Sequence, residues 1–168
     1  MATYTKIASV TVATNGTASI NFNSIDQTYT DLMVFTSLND SGYASTNSTA
    51  YLKYNSSSSN YVSKYWLAGN SGTPSTGTPT QQYIINIPAN TADANQFSNG
   101  MFYINNYSTS KYKTAISDNA MNLNTGQIYY GQESCLWSDT AAISSIAITC
   151  DGSFRAGSTA YLYGIKNS

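Results

Sequence analysis

Glu133 is the sole glutamate of the chain, and histidine is absent. Those two facts narrow the chemistry at once. Without imidazole there is no ordinary general base near neutral pH and no usual metal ligand of that type. Glycoside hydrolysis needs two carboxyl groups facing each other across a groove. Glu133 has Asp118 and Asp139 as its nearest acids in sequence, and all three read as solvated turn or strand-face residues. Ser108-x-x-Lys111 and Ser110-x-x-Lys113 spell the S-x-x-K of serine acylating enzymes. A chain so rich in serine produces that spelling by chance, and the partner motifs of those enzymes are missing. The acidic turns "NDSG" (Asn39–Gly42) and "DGS" (Asp151–Ser153) supply oxygens of the kind calcium takes. Neither fits the calcium-loop pattern, and both read as turn chemistry. The sequence therefore predicts no catalytic residue, no metal ligand and no cofactor, and a protein that is not an enzyme.

The residues better suited to recognition are aromatic. There are fifteen tyrosines and two tryptophans. Trp137, following Leu136 into a turn, reads as core. Trp66 stands beside the long tract "GNSGTPSTGTPT" and reads as core or as a stacking platform for a sugar. Tyr65, Trp66, Asn70, Tyr161 and Tyr163 are the candidate contacts for a partner or a glycan, because tyrosine and tryptophan offer apolar area with a polar tip. The tract Gly69–Thr80 reads as an exposed loop with Tyr65 and Trp66 at its base. Lys111 and Lys113 alternate around a tyrosine and read as a solubilising pair on one strand face. Cys135 and Cys150 read as two free thiols, since a hairpin turning around Ser138–Thr140 would leave them out of bridging register.

The elements that would hold these residues are strands. Period-2 segments follow one another through the chain, separated by Gly, Asn, Asp and Ser, and no helical period exceeds two turns. "TNGT" around Asn15-Gly16 predicts a hairpin between Thr5–Val12 and the strand carrying Ala18, Ile20 and Phe22. Further strands are expected at Asp31–Leu38, Tyr51–Asn55, Tyr61–Leu67, Gln81–Ile87, Met101–Ile104, Tyr112–Ser117, Gln127–Trp137 and Ala142–Thr149. "CDGS" reads as a second hairpin-type turn, and "ANTADANQFSN" as the place for one helical turn. In the closing strand, Ala160, Leu162 and Gly164 alternate with Tyr161, Tyr163 and Ile165. About ten strands in one domain spanning residues 1–168 predict an all-β antiparallel sandwich, a jelly roll, with the last strand set beside earlier ones.

Charged residues make up 9% of the chain, against about 25% in an average domain. Net charge is −1. Polarity comes instead from serine, threonine and asparagine. Such a surface steers nucleic acid and charged membranes poorly, so neither is expected as a partner. No apolar run has the length of a membrane span, and the start lacks the pattern of a signal peptide, which predicts synthesis in a cytoplasm.

Five blocks, "TYTKIASVTV", "SINFNSIDQTYTDLMV", "YWLAGNSG", "LWSDTAAISSIAI" and "TAYLYGIK", in this order and spacing, resemble a family of small structural proteins of tailed bacteriophages. The resemblance implies a β-sandwich virion component assembled in a bacterial host. It implies a capsid decoration (cement) protein on the outside of the head, bound to the major capsid protein and by analogy a homotrimer. The alternative it implies is a tail or head fibre or adaptor module that binds host carbohydrate.

Overall fold

A computed structural model describes residues 2–69, 75–77, 82–123 and 126–167, with the backbone alone at 75–77 and 82–85. The described residues form twelve strands and no helix: β1 (Thr3–Thr11), β2 (Thr17–Phe22), β3 (Asp31–Leu38), β4 (Asn47–Tyr54), β5 (Tyr61–Ala68), β6 (Ser75–Gly77), β7 (Gln82–Pro88), β8 (Ser98–Ile104), β9 (Lys113–Asn122), β10 (Ile128–Trp137), β11 (Ile146–Phe154) and β12 (Thr159–Lys166). One sheet runs β1-β12-β3-β8-β9-β10-β5-β6, the other β2-β11-β4-β7. Every pairing is antiparallel.

The pairing β1–β12, β2–β11, β3–β8 and β4–β7 is nested, as in one long hairpin rolled up so that successive pairs fall in opposite sheets. That is the jelly-roll plan: β1-β12-β3-β8 faces β2-β11-β4-β7. The remaining strands, β9-β10-β5-β6, widen the first sheet beyond its partner. As expected, the closing strand lies inside a sheet, between β1 and β3.

Two hairpins expected from turn residues are sheet crossings instead, and a third expected turn is strand. The turn at Asn15-Gly16 is real, with Gly16 at φ +90°. It hands the chain from β1 to β2 in the opposite sheet. There the Asn15 side-chain oxygen accepts the Ala156 N–H at 2.8 Å, and the Gly16 N–H donates to the Phe154 carbonyl at 3.2 Å. The segment after Trp137 likewise leads from β10 to β11 across the sandwich, and β11 runs straight through "CDGS" to Phe154. Positive-φ residues permit a reversal, but the apolar faces decide whether the reversed strand pairs or crosses. The expected helical turn in "ANTADANQFSN" is two tight turns closed by Ala92 N–H to Ala89 and Gln96 N–H to Asp93.

The core fills the space between the sheets with Ile20, Leu32, Val34, Leu38, Leu52, Phe102, Ile146, Ile148 and Leu162. Trp137 is core, as expected, with edge contact from Tyr54 and stacking on Tyr61. Lys113 overturns the reading of a solubilising pair. Lys111 is exposed, but Lys113 is 0% exposed. Its ammonium donates to the carbonyls of Thr109 and Ala141 and lies 5.6 Å from the centre of the Trp137 ring. Alternation puts residue 113 on the inner face of β9 with Ala115. There burial holds the ammonium below its usual pKa, partly offset by Asp139.

The two acidic turns meet in space. Asp40, fully buried, accepts from the N–H groups of Gly42, Tyr43, Gly152 and Ser153 and from the Ser48 hydroxyl, all at 2.7–3.1 Å. Asp151 accepts from Thr49 N–H and the Tyr51 hydroxyl. These carboxylates stitch the loop after β3 to β4 and β11. Gly152 is required for it, since a Cβ there would stand 2.4 Å from the Tyr43 nitrogen.

Candidate docking face

The outward side chains of the large sheet build a surface that a core has no use for. Register aligns Tyr161 with Phe35, Phe35 with Met101, Met101 with Asp118, Asp118 with Gln132 and Gln132 with Trp66. A parallel row runs from Tyr163 through Met33, Tyr103, Ile116 and Ser134 to Lys64. Five strand steps separate Tyr161 from Trp66, about 24 Å at the usual inter-strand spacing. Phe35, Trp66, Ile116, Tyr130 and Tyr161 are exposed on this face, Trp66 at 40%. Phe35 meets Tyr163 edge-on, and Trp66 meets Tyr130 edge-on, which fixes the orientation of these rings. Beside Trp66 lies a shallow groove floored by Ile116, Asp118, Gln132 and Ser134. The Tyr103 hydroxyl donates to Asp31, and that hydrogen bond, which only the neutral phenol can make, pushes the phenol up to about 12.

Three of the five residues expected to make contacts, Trp66, Tyr161 and Tyr163, therefore share one face, although about a hundred residues separate them in the chain. Tyr65 does not. It is the register partner of Glu133 and points to the inner side of β5. Asn70 lies outside the described residues, as does most of Gly69–Thr80. The sequence reading missed Phe35, Met101, Ile116 and Tyr130. Their signal was present as apolar residues on the outward phase of the alternation, clearest for Phe35, whose strand already has Leu32, Val34 and Leu38 on the other phase.

The acids separate in the same way. Glu133 was expected to be solvated; it is 6% exposed and faces inward with Cys135 and Trp137. Asp118 points outward and Asp139 caps the turn after β10 by accepting Ala141 N–H. No pair of carboxyl groups is formed from these three. Ser110 is exposed while Lys113 is buried and bonded elsewhere, so that S-x-x-K spelling joins no working pair. Cys135 and Cys150 are free thiols, as expected.

No family model matches the chain, and no curated protein does. Among solved structures, the chain is distantly similar to that of Scytalido-glutamic peptidase with a peptide-based transition-state analogue, at 12% identity and a TM-score of 0.26. That similarity covers 92% of this chain and 66% of the other. A likeness of that size carries no statement about activity.

Proposed function

We propose that this chain is a non-enzymatic structural protein of a tailed-phage virion. It is a decoration protein that docks on the outside of the head, against the major capsid protein, and stabilises the shell. The observation that carries the reading is the pair of cross-sheet rows on the large sheet. Their exposed aromatic and aliphatic side chains resemble the buried centre of a protein interface more than a solvated sheet face. The low charge of the chain and the block-by-block resemblance to phage structural proteins point the same way. Copies joined as a small oligomer, a trimer by analogy, would bridge neighbouring capsid subunits, so that contacts must be lost together.

A second reading has its own support. Trp66, Tyr130 and the groove with Asp118 and Gln132 combine a ring face with planar hydrogen-bonding groups, as in sugar sites, which favours a fibre module binding host carbohydrate. Imaging of intact particles, with a gel of purified virions, separates the two. Hundreds of copies over the head support decoration; density confined to the tail overturns it. The decorated state should also resist moderate salt, because its contacts are apolar.

A further inference from the structure

The widened part of the large sheet carries a second site on its opposite face. β7 packs against β8 and β9, and beyond that seam the sheet continues through β10 and β5 without an equal partner sheet. A cleft of about 260 Å³ opens there. Its floor is the inner face of β9, β10 and β5, and its far wall is the register pair Thr49 and Asn86 of the small sheet.

Inward positions of a sandwich should be apolar, and lower on the same strands Ala115, Cys135, Trp137 and Tyr61 are, with Lys113 and Ser63 as the buried exceptions. At the cleft the inward residues are Ser117, Asn119, Gly131 and Glu133. Ser117 is 4% and Asn119 7% exposed, yet among the described residues the Ser117 hydroxyl oxygen and the Asn119 amide nitrogen have no hydrogen-bond partner. An orphaned buried polar group loses its hydration without replacement, so two side by side in a cleft call for something that satisfies them. Gly131 keeps the floor open, since a Cβ there would meet the Asn119 side-chain oxygen at 2.6 Å.

The donors and acceptors define the occupant. The Asn119 amide N–H must donate, which a bare cation cannot accept. Glu133 lines the same cleft, and its carboxyl group disfavours a bare anion. A hydroxyl group accepts from Asn119 and takes either role toward the Ser117 hydroxyl. The cleft holds the volume of about nine waters, or one small ring bearing several hydroxyls against the Tyr65 wall. We infer that this cleft binds a small, uncharged polyhydroxylated molecule the size of a single sugar ring. The inference stands apart from either reading of the outer face.

Titration of the intact protein with glucose, galactose, N-acetylglucosamine and myo-inositol, followed by NMR and calorimetry, tests it. Saturable binding of at least one of them, with a shift of the Asn119 side-chain amide signals, is expected. Ser117→Ala should weaken that binding roughly tenfold while leaving the melting temperature unchanged or raised, since an orphaned hydroxyl is removed. Asn119→Ala should abolish it, and Tyr130→Ala, exposed on the opposite face and outside the cleft lining, should leave it intact. No saturable response to any of the four means that the cleft holds water alone and overturns the inference. Binding lost in Tyr130→Ala but kept in Ser117→Ala assigns the sugar to the outer face and overturns it equally.

Discussion

Asp40 shows how one side chain fixes a loop cluster in a protein with few charges. Burial by itself would raise its carboxyl. The Ser48 hydroxyl and the N–H groups of Gly42, Ser153 and Gly152 outweigh that and hold it below the ordinary carboxylate pKa. Asp40→Ala strands those donors in the interior and should cost about 3 kcal/mol or more, read as a lowered denaturation midpoint. The acid limb of stability follows the same group. Its folded pKa lies below its unfolded one, so its contribution is full above about pH 4 and is lost as pH falls through the folded value. On the alkaline side, burial pushes the Cys135 thiol and the Tyr61 phenol up to about 12, and it raises the Cys150 thiol further. Those contributions are full below the unfolded values and are lost as pH rises toward the folded ones. Lys113, held low by burial, acts in the opposite sense there, because the unfolded chain keeps that proton longer. With no histidine between the two limbs, melting temperature should form a plateau from about pH 5 to 8. A sharp drop inside that window, followed by circular dichroism, would contradict this assignment of groups.

The strands make the two tryptophans a controlled comparison. Trp137 and Trp66 sit on adjacent, paired strands but on opposite phases of the alternation. Trp137→Ala empties a filled core site and should cost about 3–5 kcal/mol. Trp66→Ala, alone or with Tyr161→Ala, should move stability by less than about 1 kcal/mol while removing the protein from its partner surface. Acrylamide should quench Trp66 emission and spare Trp137. Alternation was legible in the sequence, and it located eleven of the strands to within a few residues. What it could not deliver was the partner of each strand. Asn15-Gly16 and the Ser138–Thr140 turn carry hairpin chemistry, yet both lead across the sandwich, because the choice rests on apolar surface brought together from distant segments. The same limit hid Lys113 and Glu133. A lysine beside a lysine and a lone glutamate look solvated until register places them inward, above Trp137 and beside Ser117. Trp66 and Tyr161 were each recognisable as contact residues, but the five strand steps that put them on one face are a property of topology.

At the scale of the whole molecule, seven of the ten described pairings join strands that are not consecutive. β1 must meet β12 and β2 must meet β11 from opposite ends of the described chain, so loop closure precedes most of the burial that rewards it. Refolding from denaturant should therefore be slow for this size, on the order of milliseconds to seconds. Submillisecond recovery of the Trp137 signal would argue for a more local nucleus. The same nesting ties the two sheets into one unit, and the two thiols sit one in each: Cys135 on β10 of the large sheet, Cys150 on β11 of the small one. Both are desolvated and far from their reactive thiolate form at neutral pH. They are, in effect, an internal clock and its reference: Cys135 is buried and Cys150 half-buried. A thiol reagent can strike Cys135 only when the large sheet parts, whereas Cys150 is within reach from the surface, so the mass-resolved lag between the first and second label times the opening of the large sheet. A lag that vanishes as denaturant is added would mark a shell that yields all at once.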